Sequence, residues 1–200
     1  MSNSKASNNK VGSPRYQAIL DVAAKVFREK GYHHANISDI AARVGLQKGS
    51  LYHYIKCKEE LLYEIFLSSM GYYMTAFQKI LLTDKRCDIM LREAIVAHMA
   101  PVGGNYDRFY VGLHEFNSLT GEYKKICKEY LDTYEEMWLN ILEQGKKEGM
   151  FLQDFDSKVT LLSIFGMCNW SLRWFKPGGK YTRKDLGRMF ADRILNGIKA

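Results

Sequence analysis

Apolar residues recur at helical spacing along most of the chain, and the first clear stripe starts just after Pro14. Its apolar positions follow the i, i+3, i+4, i+7 and i+8 pattern of one face of an amphipathic helix. Ser13 is suited to cap this helix, Pro14 to its first turn and Gly31 to its end. The pattern therefore predicts a helix over residues 14–30, with a buried stripe at Ile19, Val22, Ala23, Val26 and Phe27.

Eight further helical segments follow, and no stretch shows the alternation typical of strands. Ser38 is expected to cap a short helix over residues 39–44, and Gly45 separates it from another over 48–55. Longer helices are predicted at 59–82, 87–100, 105–118, 121–148, 157–175 and 183–198. The expected fold is all-α with about nine helices: a disordered basic arm at 1–12, a three-helix head at 13–73 and a helical body at 74–200.

The positive charge of the chain is concentrated at one end. The net charge is +7, and the first 58 residues hold ten Lys or Arg residues against three acids. Acids and bases balance in the remainder, so the whole excess lies in the first 58 residues. This asymmetry predicts a head that meets a polyanion, with a basic tail that merely aids solubility as the alternative.

The two short helices of the head have the pattern of a helix-turn-helix, which we place at residues 36–55. Small side chains at Ala41 and Ala42 would let the two helices approach, and Gly45 would allow a left-handed turn between them. Leu51 and Ile55 would anchor the second helix, whose other face is polar and basic. Its N-terminal end also offers backbone amides to phosphate.

The stretch from Phe27 to Leu62 resembles the DNA-binding domain of the TetR/AcrR family of regulators. Three positions depart from the family pattern: Asn36 stands where Thr is usual, Gln47 where Ser or Thr is usual, and Ile55 where Phe is usual. The side chain of Gln47 could form hydrogen bonds with adenine. The resemblance extends over about residues 13–73. It rests on Phe27, Gly31, Ile37, Ile40, Ala41, Val44, Gly45, Lys48, Gly49, Leu51, Tyr52, Tyr54, Lys58, Leu61 and Leu62.

This resemblance implies a repressor that binds double-stranded DNA at a palindromic operator. Four residues would approach base edges or the groove floor: Gln47, Lys48, Gly49 and Tyr52. Four would bind phosphates: Ser38, Ser50, Tyr54 and Lys58. His53 could do either, and Arg43 would clamp the DNA backbone.

The resemblance also implies a homodimer that forms through the last two helices. The segment Val159–Phe175 is apolar on nearly all sides, which suits a helix buried by its own body and by a partner.

The resemblance further implies that the body holds a small hydrophobic ligand, which would shift the two heads and weaken operator binding. Residues 169–179 look like a segment of family members that regulate fatty-acid or acyl-coenzyme A breakdown. A fatty acyl-CoA effector would then contact Trp170, Arg173, Trp174 and Lys176. Alternatively, the two tryptophans form an apolar stripe at the dimer interface, and Arg173 is solvated. A regulator of drug or efflux genes that senses an aromatic or cationic compound is the other alternative.

Other classes of protein find little support in the sequence. The four cysteines are scattered without zinc or redox spacing, which predicts free thiols in the cytoplasm. No P-loop, nucleophile elbow or dinucleotide fingerprint is present, and His33-His34 lacks a third ligand at recognisable spacing. We therefore expect no catalytic residue, no metal and no cofactor besides the effector. The chain also lacks a signal sequence and a membrane-spanning run, and a basic peripheral membrane protein would need a more strongly basic amphipathic helix.

Overall fold

The computed structural model describes residues 13–100 and 106–200, and this part of the chain forms nine α-helices with a 3₁₀ turn at Phe116–Ser118. The only β pairing within it is an isolated bridge between Phe151 and Lys199. The predicted all-α fold is therefore confirmed, whereas the predicted arm at residues 1–12 lies outside the described residues. The helices are α1 Pro14–Lys30, α2 Ile37–Arg43, α3 Lys48–Leu51, α4 Lys58–Leu81, α5 Cys87–Met99, α6 Tyr106–His114, α7 Gly121–Lys147, α8 Ser157–Trp174 and α9 Arg183–Ile198.

The start of α2 differs from the prediction. Asn36, not Ser38, is the N-cap, and the helix begins at Ile37. The backbone amide of Asn36 donates to the carboxylate of Asp39 at 3.2 Å, and Lys30 forms an ion pair with the same carboxylate at 2.8 Å. The hydrogen bond from Lys30, followed by that from Asn36, lowers the pKa of Asp39. Placing the cap at Ser38 was wrong because the carboxylate that completes the first turn stands three residues after Asn36.

The end of α3 also differs from the prediction, since the helix stops at Leu51 rather than at residue 55. The amides of His53 and Tyr54 donate to the carbonyls of Ser50 and Leu51, three residues back, at 3.2 and 2.9 Å. Such bonds tighten the chain into a turn instead of extending an α-helix. The run from Tyr52 to Ile55 consists of aromatic, His and β-branched residues, whose helix propensity is low.

The helices group into two compact units, which we call the head unit and the body unit. Within the described residues, the head unit comprises 13–69 and 106–128, and the body unit comprises 70–100 and 129–200. A division at residue 73 did not anticipate that residues 106–128 pack with the head. The helices α4 and α7 each contribute residues to both units.

The core of the head unit is built on the predicted stripe of α1. Ile19, Ala23, Val26 and Phe27 are fully buried and Leu20 extends the stripe, whereas Val22, which was also predicted in it, is only half-buried. Ser13 caps the helix, as predicted, by accepting a hydrogen bond from the amide of Tyr16. Leu61, Leu62 and Ile65 of α4 are buried in the same unit. The apolar periodicity of the sequence was therefore sufficient to find this core.

The body unit contains a particularly close contact between α5 and α9. Gly187 lies over Val96, and a Cβ at this glycine would stand 2.9 Å from the Val96 Cα. Only glycine allows the two backbones to approach so closely. Trp138 of α7 and Leu91 of α5 are fully buried in this unit. None of the helices in the described part of the chain combines the length and apolar character needed to cross a membrane.

Candidate DNA-binding surface and effector groove

The turn between α2 and α3 is held by the conformation of one glycine and by a long-range hydrogen bond. Gly45 has φ +69°, the left-handed region that the sequence predicted for it. The next amide, that of Leu46, donates to the carbonyl of Ala41 at 2.9 Å. Arg15 of α1 donates to the carbonyl of Val44 at 2.8 Å. These bonds fix α3 relative to the rest of the helix-turn-helix.

The inner face of the helix-turn-helix consists of a few apolar side chains. Leu51 and Ile55 are buried, as expected of the residues that anchor the second helix. Ala41 is buried but Ala42 is exposed, so only Ala41 lies where the helices approach. Because Ile55 fills its position without strain on the backbone, its departure from the family pattern is accommodated.

The structure places most of the predicted DNA contacts on the outer surface of the head unit. Tyr52 is 46% exposed, although its side chain is large and aromatic. The ammonium of Lys48 has no carboxylate partner in the described part of the chain, so it is available to a phosphate or a base. Ser50 and Tyr54 are half-buried. The exposed members of the predicted set are Ser38, Arg43, Gln47, Lys48, Gly49, Tyr52 and His53.

Two of the predicted basic contacts have protein partners instead. Arg43 forms an ion pair with Glu29 at 2.6 Å. The ammonium of Lys58 donates to the backbone carbonyls of Tyr32 at 2.9 Å, Ala35 at 3.1 Å and His33 at 3.4 Å. It also lies 4.5 Å from the centroid of the Tyr32 ring. The three ammonium donors of Lys58 thus close the loop between α1 and α2. Binding of a DNA phosphate by Lys58 remains a prediction, whereas in the structure Lys58 stabilises the loop between α1 and α2.

Replacing Lys58 with Met tests this structural role. We expect the free energy of unfolding to fall by about 2 kcal/mol, because charge-assisted hydrogen bonds to loop carbonyls are lost. Lys56→Met removes the same charge two residues away and should leave unfolding nearly unchanged, since Lys56 is exposed. Urea denaturation of both variants is the measurement. Equal stability of the two variants, with weaker DNA binding for Lys58→Met alone, would restore the phosphate role.

A buried arginine joins α1 to α6 within the head unit. Arg108 is 5% exposed and donates to the carboxylate of Asp21, to the side-chain oxygen of Gln17 and to the backbone carbonyl of Gln17, each at 2.8 Å. Nearby, Arg28 pairs with Asp107 on the surface of the same two helices. Arg108 was not predicted from the sequence, because an arginine inside an amphipathic stretch is ordinarily expected at the surface.

The body unit contains an open groove of about 850 Å³ between α4, α5 and α9. Its lining is mainly apolar, and it also includes four cationic side chains and one carboxylate. The predicted effector residues Trp170, Arg173, Trp174 and Lys176 do not belong to its lining. The lining residues are Tyr72, Thr75, Ala76, Lys79, Ile80, Arg92, Glu93, Val96, Ala97, Ala100, Lys184 and Arg188.

The outer face of α8 carries a stripe of exposed apolar side chains. Val159, Leu162, Trp170 and Trp174 are 60%, 52%, 58% and 47% exposed, and their spacing places them on one side of the helix. The guanidinium of Arg173 lies 5.0 Å from the centroid of the Trp170 ring. Large exposed apolar patches of this kind mark interaction surfaces. The geometry favours the interpretation in which the two tryptophans belong to a dimer interface over the one in which they contact an effector.

The aromatic residues of the body unit surround a buried histidine. His98 stacks on Tyr73 and Phe165, with ring centroids 4.7 and 5.2 Å away. One ring nitrogen lies 3.0 Å from the hydroxyl of Tyr134, and the other lies 3.1 Å from the side-chain oxygen of Asn169. A neutral ring satisfies both contacts by accepting from Tyr134 and donating to Asn169. Burial lowers the pKa of His98 to about 4, although the bond to Asn169 opposes this shift.

The low pKa of His98 makes the stability of the body unit depend on pH. The unfolded chain takes up a proton near pH 6.5, whereas the folded chain resists it down to about pH 4. We therefore expect full stability above pH 6.5 and a loss of about 1.4 kcal/mol for each pH unit below it, until pH 4. Thermal unfolding between pH 7.5 and 5 measures this slope. His98→Gln should flatten it, and an unchanged slope in that variant would contradict the assignment.

No group of three potential metal ligands occurs among the described residues, and Cys57, Cys87, Cys127 and Cys168 are free. Burial raises the pKa of the Cys87 thiol to about 11, and the hydrogen bond to Glu148 adds to the shift. This thiol is therefore protonated and unreactive at neutral pH.

The helix-turn-helix with its exposed basic α3, on an all-helical chain, defines the class of DNA-binding regulators. The family model described as bacterial regulatory proteins, tetR family, matches residues 19–65. A second, described as a tetracyclin repressor-like C-terminal domain, matches residues 90–198, more than half of the chain. The chain therefore belongs to the TetR family of transcriptional regulators, and the predicted family is confirmed.

Solved structures of other regulators share this fold over nearly their whole length. PfmR from Thermus thermophilus is 34% identical, with 91% of this chain and 99% of that chain covered and a TM-score of 0.81. The ketosteroid transcriptional regulator KstR2 of Mycobacterium tuberculosis is 26% identical, with 94% and 96% covered and a TM-score of 0.86. AibR, solved with isovaleryl coenzyme A and operator DNA, is 27% identical, with 92% and 98% covered and a TM-score of 0.80.

Proposed function

We propose that this protein is a repressor that binds a palindromic operator and leaves it on binding a coenzyme A ester. The observation that carries the DNA-binding half is the exposed face of α3, where Lys48 is unpaired among the described residues and Tyr52 is exposed. A polar, basic second helix is the element that enters the major groove in helix-turn-helix proteins. The concentration of the entire net charge in the first 58 residues supports the same role.

Within this proposal, the residues of the DNA-binding surface divide into base-reading and phosphate-binding residues. Gln47, Lys48 and Gly49 would read base edges from the N-terminal end of α3, and Tyr52 from its C-terminal end. Ser38 and Ser50 would position the protein on phosphates, together with Tyr54 and His53. Arg43 would reach a phosphate only by leaving Glu29.

The effector half of the proposal rests on two kinds of support. AibR, which shares the fold, was solved with isovaleryl coenzyme A, and KstR2 is described as a ketosteroid regulator. Isovaleryl coenzyme A and a ketosteroid are both compounds with an apolar portion. The groove of the body unit has an apolar floor and a cationic rim, which suits a ligand that joins an acyl chain to phosphates.

We further propose a homodimer that forms through α8 and α9. The exposed stripe of Val159, Leu162, Trp170 and Trp174 is an apolar face that a second copy would cover. A two-fold dimer presents two heads to the two halves of a palindrome, as helix-turn-helix regulators require. Because the DNA of a bacterium lies in its cytoplasm, we expect the protein to act there.

A gel-shift titration with DNA from upstream of its own gene tests the proposal. At low salt we expect a complex of two protomers per site, which dissociates on addition of acyl-CoA esters but not of free coenzyme A. Failure to bind any duplex at low salt, where phosphate contacts are strongest, would overturn the regulator assignment. DNA binding that no ester reverses would overturn the effector assignment alone.

Light scattering of the free protein tests the dimer separately. We expect the mass of two chains, reduced to one by Trp170→Glu, which places a carboxylate in the apolar stripe. Lys176→Glu, an exposed change just beyond the end of the same helix, serves as the control. A wild-type protein that is monomeric at micromolar concentration would contradict this part of the proposal.

A further inference from the structure

The groove of the body unit combines two surfaces of opposite character. Its floor is formed by small and branched apolar side chains, whereas four cationic side chains stand around it. A groove of about 850 Å³ falls within the usual size of small-molecule sites. The floor consists of Ala76, Ile80, Val96, Ala97 and Ala100, and the cationic rim consists of Lys79, Arg92, Lys184 and Arg188.

The charges of the rim are only partly neutralised. Arg92 pairs with Asp192, and Arg188 lies 3.6 Å from Asp185. Lys79 and Lys184 have no carboxylate partner among the described residues, and the segments outside those residues contain no acid.

The one acid of the lining does not cancel this charge. Glu93 is held by Lys85 at 2.6 Å, and Lys85 does not belong to the lining. The rim therefore carries two lysines that form no ion pair among the described residues and two arginines whose acidic partners are exposed. Such exposed ion pairs contribute little, so a ligand phosphate can displace them at small cost.

We infer that this groove, and not the segment around Trp170, holds the coenzyme A ester of the proposed function, on which this inference rests. The phosphates of the ester bind Lys79, Lys184 and Arg188, and its acyl chain lies on the floor beside Ala97 and Ala100. A free phosphate would leave the apolar floor unused, and a fatty acid would supply a single charge to a rim of four cations. A coenzyme A ester supplies both parts.

The segment predicted from the sequence has the wrong geometry for this ligand. Trp170 and Trp174 are about half exposed on the outer face of α8, and Arg173 stacks on Trp170. Lys176 is exposed beyond the end of the helix. Neither cation belongs to the lining of the groove, so an acyl chain lying in the groove would not be beside them.

Two double variants with the same change of charge separate the two sites. We expect Lys79→Ala with Lys184→Ala to weaken binding of an acyl-CoA ester about a hundredfold by calorimetry, or about tenfold for each charge-assisted contact. Arg173→Ala with Lys176→Ala should bind the ester as the wild-type protein does. Both double variants should bind operator DNA normally without ligand, which shows that they fold.

Four outcomes would overturn the inference. Loss of binding in the Arg173/Lys176 variant, with normal binding in the Lys79/Lys184 variant, moves the site and leaves the proposed function standing. Equal binding of a fatty acid and its coenzyme A ester removes the phosphate role of the rim. Weaker operator binding by the ligand-free Lys79/Lys184 variant makes the rim a DNA contact. Absence of any ester binding by the wild-type protein removes the proposed effector as well.

The floor is tested by a substitution that fills it. Ala97 is half-buried with its side chain in the lining, so Ala97→Phe would occupy the space assigned to the acyl chain. We expect long-chain esters to lose at least tenfold in affinity while a short-chain ester loses little. Ala42→Phe, on the exposed side of the head unit, is the control. An equal loss for all chain lengths would contradict the placement of the acyl chain.

Discussion

Reversal of the charge at Lys48 is expected to reduce operator binding at least a hundredfold. Lys48 is exposed at the first position of α3, and no acid pairs with it in the part of the chain that the structure describes. Lys48→Glu would therefore replace an attraction to DNA with a repulsion, without breaking any contact inside the protein. A specific contact at a base edge contributes about 1–3 kcal/mol, and a dimer loses two of them.

The milder substitution Lys48→Ala distinguishes reading of bases from attraction to phosphate. We expect it to lower the affinity for the operator more than that for an unrelated duplex, because a contact to a base edge carries sequence information. Loss of a phosphate contact would instead weaken both duplexes equally and reduce the slope of log affinity against log salt by about 1 per contact.

Lys25 provides a matched control for both substitutions. It is exposed on α1 of the same head unit and lies outside the predicted DNA-binding set. Lys25→Glu changes the net charge by the same amount as Lys48→Glu, so it measures the general electrostatic effect alone. If both reversals weakened operator binding equally, the placement of α3 in the groove would be wrong. Fluorescence anisotropy at several salt concentrations is the measurement.

Replacement of Arg108 with Met is expected to lower the free energy of unfolding by about 3 kcal/mol. The substitution removes three hydrogen bonds from α6 to Asp21 and Gln17 of α1, all made by a guanidinium that is itself buried. Truncation of one partner of a buried charged network is costly because the remaining partners lose both charge and hydrogen bonds. Met preserves most of the apolar length of the side chain, so little of the loss comes from packing.

Arg28 is the matched control, since it also joins α1 to α6 by an ion pair, but at the surface. Its side chain is 42% exposed, and it lies against the rings of Tyr106 and Tyr110 as well as Asp107. Exposed ion pairs and cation–π contacts contribute little, so we expect Arg28→Met to cost about 1 kcal/mol. Urea denaturation of the two variants gives the comparison. Equal losses would show that burial of Arg108 adds no stability.

The bounds of the long helices followed from the sequence, because apolar periodicity and cap residues are local signals. The predicted helix at residues 183–198 has the bounds observed for α9, and α5, α7 and α8 are each within one residue of prediction. The short helices were predicted less well. A cap at Asn36 in place of Ser38, and the early end of α3, depend on hydrogen bonds that several adjacent residues could have made.

Of the two candidate sites, one could be predicted from residues that are adjacent in sequence, and the other depends on contacts between distant segments. The DNA-binding surface was predictable, because a helix-turn-helix is a continuous stretch whose exposed and buried faces follow from helical spacing. The groove was not predictable, since Lys184 of α9 is far along the chain from Lys79 of α4 and Arg92 of α5. Trp170 and Lys176 attracted attention in the sequence because they are close together along the chain, which says nothing about a cavity.

The sequence by itself determined the helices, the left-handed turn at Gly45 and the location of the net charge. Only the tertiary structure decided the role of each charged side chain. Arg108 becomes buried because Asp21, 87 residues earlier, accepts its hydrogen bond, and Lys58 closes a loop that lies 23–26 residues earlier. Burial of a charge requires partners, and whether partners are present depends on the packing of distant segments, which local patterns do not encode.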